Sequence, residues 1–349
     1  MNILIVGGAG FVGANLAFKL KTETRFNITV LDNLVRRGSE CNLIKFKRLG
    51  INFIHGDVRN REDILTLPPY DIVLDCAAQP SAVNYKNPAF DITNNTYGVL
   101  NLLEYCKLNK SGLIYWSTNK CYSGTVCNKP IIETKQHRFV FKEQLDFEGF
   151  NYKTGFSENL SIDGGDHSIY GMSKVMGDLM IQEYANAYGI PAICNRFSCL
   201  AGPNQWGKSE QGWVAWFIIA NYFNLPVTVY GYNGHQVRDY LFIDDVYTLI
   251  LKQCNSLHSY HGEVFNVGGG SNFTISIKEA LNLLENTYNK MNITYIDNVR
   301  RADHAIYISD TRKVKKAFSW EPSITAENGF KQIWEWVDNN QSVLKSLYL

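Results

Sequence analysis

The chain opens MNILIVGGAGFVGANLAFKL, an apolar stretch that runs into Gly7, Gly10 and Gly13 and then directly into a helical pattern. A GxxGxxG turn between strand and helix bends the backbone tightly, lets it approach a pyrophosphate and packs the helix closely on the strand. The N–H groups that open such a helix are ready donors for an anion. A glycine turn that merely joins two elements is the alternative, so the flanking pattern has to decide. The next apolar run, NITVLD (27–32), ends in Asp32, nineteen residues after Gly13. A carboxylate there accepts from adenosine ribose hydroxyls and repels a 2′-phosphate, which favours NAD over NADP. Arg36 and Arg37 stand nearby and keep NADP open as the alternative.

Strand-like runs continue at 52–57 (NFIHGD), 72–78 (IVLDCAA), 112–118 (GLIYWST) and 191–197 (PAICNRF), with helical patterns between them, including 95–109 and 172–189. Such alternation predicts an α/β fold: a doubly wound parallel sheet of Rossmann type with right-handed crossovers. A later run, EVFNVGGG (263–270), is expected to return to that sheet. Residues 125–168 show no period, and a stretch of this length inside a compact domain reads as functional or inserted. Beyond residue 198 the pattern shortens, as expected of a smaller capping lobe. The expected division is an NAD-binding domain over 1–197 with return segments at about 234–268, and a substrate-binding lobe over 198–233 and 269–349.

Composition narrows the partners. A net charge of +1 gives no electrostatic reason to expect nucleic acid or a membrane surface. The longest strongly apolar stretch, WVAWFIIA, is too short to span a bilayer. Eight cysteines without a CxxC spacing read as free thiols of a reducing compartment, and no metal is expected. With a strand starting at once and no signal region, the expected location is the cytoplasm.

Further strand ends supply candidate cofactor contacts. Asp57 closes the third run and Val58 follows it, and they could reach an adenine edge; a plain turn aspartate is the alternative. Ala77 and Ala78 end the fourth, with Gln79 after them, and small side chains there suit either a cofactor or close packing. IYGMSK places Tyr170 and Lys174 four apart, on one face of a helix. A nearby ammonium favours the phenolate and brings a tyrosine toward the range of a working base. Ser117 and Thr118, at the end of the fifth run, offer hydroxyls that could align a substrate alcohol.

Together, the glycine turn, the Asp-ended second strand, the Ser/Thr pair and YxxxK resemble the extended short-chain dehydrogenase/reductase family over essentially the whole chain. The resemblance implies Thr118, Tyr170 and Lys174 as the catalytic trio. It implies NAD contacts from Gly7, Gly10, Phe11, Val12, Gly13, Asp32, Asn33, Arg36, Asp57, Val58, Ala77, Ala78, Gln79, Asn95, Ser117, Tyr170, Lys174 and Phe197. Asn95, opening its helix, matches the family's structural and active-site asparagine.

Members that act on nucleotide sugars carry later elements that this chain resembles. In GHQVRDYLFIDDV (234–246), Arg238 would meet the diphosphate; in VRRADHA (299–305), Arg300 would meet the same phosphates and Asp303 a ribose. KSEQGWVAWFIIA (208–220) and STNKCY (117–122) are similar to the CDP-sugar 2-epimerase branch. That similarity implies substrate contacts from Thr118, Asn119, Lys120, Gln211, Gly212, Trp213 and Val214. Ser123 and Glu210 depart from that branch, as does the long segment between Thr118 and Tyr170. Asn119 stands where 4,6-dehydratases place an acid, and an amide cannot act as the general acid of that elimination.

The expectation is therefore an NAD-dependent epimerase, a homodimer or higher homo-oligomer, acting at C2 of a CDP-sugar of the CDP-paratose to CDP-tyvelose kind. Tyr170 would take the C2 hydroxyl proton while NAD⁺ takes the hydride, and the 2-keto sugar would be re-reduced on its other face. A UDP-sugar 4-epimerase is the alternative enzyme. A 4,6-dehydratase and a non-catalytic NAD sensor are more distant ones.

Overall fold

The computed structural model describes residues 1–80, 87–209 and 211–349, so Glu210 lies outside the described residues. Seven apolar runs become strands: β1 (Asn2–Val6), β2 (Asn27–Asp32), β3 (Asn52–His55), β4 (Ile72–Asp75), β5 (Gly112–Thr118), β6 (Ala192–Phe197) and β7 (His261–Val267). They form one parallel sheet in the order β7-β6-β5-β4-β1-β2-β3. The return of the 263–270 run to this sheet is as expected. All seven residues of β5 are buried, as are all four of β4. Continuous burial follows from cover on both faces, and it is why these strands read as unbroken apolar runs.

Strand order reverses at β1, which pairs with β2 on one side and β4 on the other. Ligands of open α/β sheets bind beyond the carboxyl ends at such a point. Three helices matter for the site: α1 (Phe11–Glu23), α2 (Gly98–Asn109) and α3 (Ser168–Tyr188). A single wide turn of π type, Thr93–Tyr97, leads into α2.

The chain divides into two compact units. The first comprises Met1–Thr118, Ile169–Arg196 and Val246–Phe265; the second comprises Asn119–Ser168, Phe197–Asp245 and Asn266–Leu349. Two stretches expected within the cofactor domain, 119–168 and 234–245, thus fall in the second unit. Within that unit the aperiodic segment is folded. It contains the antiparallel pair Ile132–Lys135 and Arg138–Phe141, and a smaller one at Phe150–Asn151 and Gly155–Phe156. Its core is aromatic: Phe150 lies 5.0 Å from both Phe141 and Phe156, and Phe156 stacks on Tyr307 at 5.5 Å. The unit's main sheet runs through Val237–Phe242, flanked by Cys199–Ala201 and Thr274–Ser276, with Ile306–Tyr307 also on the central strand. No helix among the described residues is long and apolar enough to cross a membrane. All eight cysteines are free.

In the first unit, Asp178 of α3 is fully buried and accepts from Arg196 Nε at 2.9 Å and Nη2 at 2.8 Å. Ser117 Oγ donates to the same carboxylate at 2.7 Å. Burial alone would push Asp178 up, but the guanidinium of Arg196 holds it below the ordinary value. Removing one partner of a buried pair strands the other charge, at a cost of about 3–5 kcal/mol. Arg196→Met should therefore lower the urea midpoint sharply, and adding Asp178→Asn should recover part of the loss. An unchanged midpoint in the single variant would show that the pair contributes nothing.

Candidate active site

The glycine turn has little room for side chains. Gly7 has φ +66°, and a Cβ there would lie 2.6 Å from the Cα and N of Ala77. A Cβ on Gly13 would lie 2.5 Å from the Cα of Gly8, so the first turn of α1 sits directly on the loop. Gly10 caps α1 without a side-chain bond, which leaves the opening N–H groups, those of Phe11 and Val12 included, facing no capping side chain. Asp32 closes β2 and braces this turn: Oδ2 accepts from Ala9 N at 3.0 Å and Oδ1 from Leu34 N at 2.8 Å. Burial raises Asp32 above the ordinary carboxylate value, against the pull of those N–H groups. Asn42 adds a bond from Nδ2 to Ala9 O at 2.9 Å.

At the ends of β2 and β3, Asn33 Nδ2 donates to Asp57 Oδ2 at 3.0 Å, and Arg59 forks onto the same carboxylate. The guanidinium holds Asp57 down at about 2. Val58 is buried beside Gly98, where a Cβ would lie 2.7 Å from its Cγ2. Arg36 lies in the loop after β2, its carbonyl accepting from Ser39 N at 3.0 Å.

Asn95 sits in the wide turn before α2 and is wholly buried. Its Oδ1 accepts from Gln79 N at 2.8 Å, and its Nδ2 donates to Gln79 O at 3.1 Å and to Ser173 Oγ at 3.0 Å. One amide therefore ties the loop carrying Ala77, Ala78 and Gln79 to the turn of α3 that carries Tyr170 and Lys174. Gln79 Nε2 donates in turn to Asp91 at 2.7 Å. Turns of π type are frequent at functional sites, and this one orients the amide.

Thr118 ends β5, and Tyr170 and Lys174 lie one turn apart near the start of α3; all three belong to the first unit. Tyr170 and Thr118 are largely buried, and Lys174 is almost completely so. The Lys174 ammonium lies 4.5 Å from the centre of the Tyr115 ring, a cation–π contact to β5. Ser117 is held by Asp178, as described above, so its hydroxyl steadies the end of β5 beside Thr118. Phe197, buried, ends β6.

The second unit carries both arginines expected at the phosphates, but it brings only Arg238 together with Asp303 and Lys120. Arg238 Nη2 donates to Asp303 Oδ1 at 2.7 Å, and Lys120 Nζ donates to the same oxygen at 3.1 Å. Burial would raise Asp303, but the two cations hold it far below the ordinary carboxylate range. Burial also lowers Lys120, against the pull of Asp303. Arg300 stands apart from this group: Nη2 donates to Ser209 O at 3.2 Å, and the guanidinium stacks 4.6 Å over Tyr230. Asn119 is buried at the start of the unit. Gln211 bridges Lys208 through the backbone, and Gly212, with φ +75°, precedes the helix Trp213–Phe223. Trp213 packs against Phe217, and Val214 is buried in the same helix.

Residues 3–268 match the NAD dependent epimerase/dehydratase family. The chain belongs to that family. A CDP-paratose 2-epimerase from Salmonella typhi is 32% identical, covering 97% of this chain and 100% of the relative. A putative UDP-glucose 4-epimerase from Methanocaldococcus jannaschii is 27% identical, covering 97% and 99%. Among solved structures, a Thermotoga maritima UDP-glucose 4-epimerase with UDP-glucose superposes with a TM-score of 0.76 at 27% identity, covering 98% of this chain and 100% of that one.

As a member of this family the protein is an NAD-dependent epimerase. The residues fit the cofactor: the turn excludes a Cβ at Gly7 and Gly13, the helix opening is uncapped, and Asp32 sits at the end of β2. Asn42, Ser173, Asp178 and Arg196 shape the site without having been singled out from the sequence. The spacing Tyr170, Lys174, Asp178 repeats every four residues on one face of α3, and that repeat was the available signal. Of the acids in the 234–246 element, Asp239 and Asp245 hold the fold. Asp239 accepts from Gly270 N and Ser309 N, and Asp245 accepts from Ser323 N and Ile324 N.

The state of Asp303 has a pH signature. A carboxylate lowered by folding contributes stability above its unfolded value of about 4 and loses it as pH falls below that. Asp303→Asn should lower the melting temperature at pH 7, and the gap to wild type should shrink below pH ~4. Thermal scans across pH read this directly, and a gap constant with pH would contradict the charge assignment.

Proposed function

We propose that the protein epimerises a CDP-sugar at C2, of the CDP-paratose to CDP-tyvelose kind. The reading rests on Gln211–Phe217 (QGWVAWF) with Ser117–Tyr122 (STNKCY), and it is supported by 32% identity to a CDP-paratose 2-epimerase across the chain. Asn119 in place of an acid speaks against dehydration.

In this reading Tyr170 takes the proton of the C2 hydroxyl, Thr118 holds that hydroxyl in line, and the Lys174 ammonium favours the phenolate. NAD, when bound, supplies reversible hydride acceptance and donation at that carbon. Arg238 and Arg300 take the diphosphate through charge-assisted bonds, and Asp303 takes a ribose hydroxyl. Tyr170 returns the proton after the sugar has turned its other face, so no net redox change remains. Substrate deuterated at C2 should turn over more slowly when chemistry limits, and C4 label should be without effect. Tyr170→Phe should keep bound NAD and lose about 10²–10⁴-fold in turnover. Transfer of C4 label and never of C2 label would make the enzyme a 4-epimerase.

The proposed assembly is a homodimer through α3. Met172, Met176 and Leu179 are 37%, 40% and 50% exposed at i, i+4 and i+7, a single apolar stripe, with Tyr97 also exposed before α2. Light scattering should give twice the chain mass, and Met176→Lys with Leu179→Lys should halve it. A monomeric wild type would refute the assignment.

A further inference from the structure

Asp75 closes β4 with only 1% of its surface exposed, an acid at the end of an otherwise apolar strand. The register sets it beside Tyr115 of β5 and Val6 of β1. Paired residues of neighbouring strands project from the same face of a sheet. On that face the Tyr115 ring carries the Lys174 ammonium at 4.5 Å, and Gly177 lets α3 settle onto the Tyr115 hydroxyl. Asp75 Oδ1 accepts from Ala77 N at 3.1 Å. Among the described residues, Oδ2 is buried without a hydrogen-bond partner. A carboxylate oxygen so placed is costly unless a cation faces it.

The Lys174 ammonium, lying over the ring of the Tyr115 that pairs with Asp75, is the cation on that face. Burial pushes Asp75 up to about 6, and the Lys174 ammonium is the first influence that lowers it. The other titratable groups around it are the thiols of Cys76 and of Cys106 in α2, together with the Tyr115 phenol on β5. Burial raises both thiols well above the ordinary value, so they stay neutral.

We propose that Asp75 is a positioning residue for epimerisation, holding the Lys174 ammonium charged and in place from the sheet side. The proposal rests on Tyr170 and Lys174 as the proton-transfer pair. An opposite charge nearby favours the ammonium, so its removal lowers the pH at which Lys174 deprotonates. The alkaline limb of the kcat–pH profile should then move to lower pH in Asp75→Asn, by about one unit or more. Below pH about 6, where Asp75 itself is neutral, variant and wild type should converge. A group that served only to support the fold would scale kcat at every pH and leave the limbs in place. Asp75→Glu keeps the charge and should keep the limb.

The direct measurement is NMR of the NAD-containing holoenzyme labelled with 13C at lysine Cε, with Lys174 assigned by its loss in Lys174→Arg. In Asp75→Asn the Lys174 titration should move to lower pH. If that variant does not fold, the wild-type spectrum carries the test, because the Lys174 resonance should shift near pH 6 as Asp75 titrates. A Lys174 resonance blind to Asp75 in both experiments overturns the proposal. A shifted Lys174 in a protein that turns over no CDP-sugar upholds the pairing and removes only the sugar assignment.

Discussion

The close approach of Gly7 to Ala77 is the constraint on which the first unit is built. With 2.6 Å between a would-be Cβ and the neighbouring backbone, the loops after β1 and β4 touch main chain to main chain. These two strands flank the switch point, so the contact sets where a pyrophosphate can lie above the sheet. Gly13 extends the same closeness into α1, and Asp32 fixes the turn from the β2 side through Ala9 N. Asn95 then passes the position of the β4 loop on to α3 through Gln79 and Ser173.

The polar core of the first unit follows from that arrangement. A parallel sheet covered on both faces has no solvent to satisfy charges, so each charge requires a partner within the protein. Asp178 has Arg196, Ser117 and Cys194; Asp75 has Ala77 N and the field of Lys174. In the second unit one carboxylate, Asp303, pairs with both Arg238 and Lys120. The cations expected at the substrate are thus held in position by an acid of the same element that supplies Arg300.

Much of this was legible in the sequence where side-chain period and turn chemistry agree. The runs 27–32 and 112–118 became strands with the expected ends, because strands buried on both faces are mostly apolar. The helix expected over 172–189 begins earlier, at Ser168, and carries Tyr170 and Lys174 together as their spacing implied. Residues 125–168 gave no period because their pieces are two-to-four-residue strands held by aromatic contacts distant in sequence, such as Phe156 on Tyr307. Asp75 was not legible in the sequence, because a lone acid in an apolar run has no spacing signature and Lys174 is ninety-nine residues away. The glycines, Asp32, Tyr170 and Lys174 stand out in the sequence because the chemistry proposed for them demands fixed local spacings.

Each compact unit is assembled from three separate stretches of chain, and the last stretch of the first unit ends at Phe265. Synthesis from the ribosome therefore delivers β1 to β5 long before β7, and β6 waits as an unpaired edge until residues 261–267 emerge. An exposed apolar edge strand is a template for aggregation. During translation that edge stays open while the second-unit stretch Phe197–Asp245, and then the first-unit residues ahead of β7, are made.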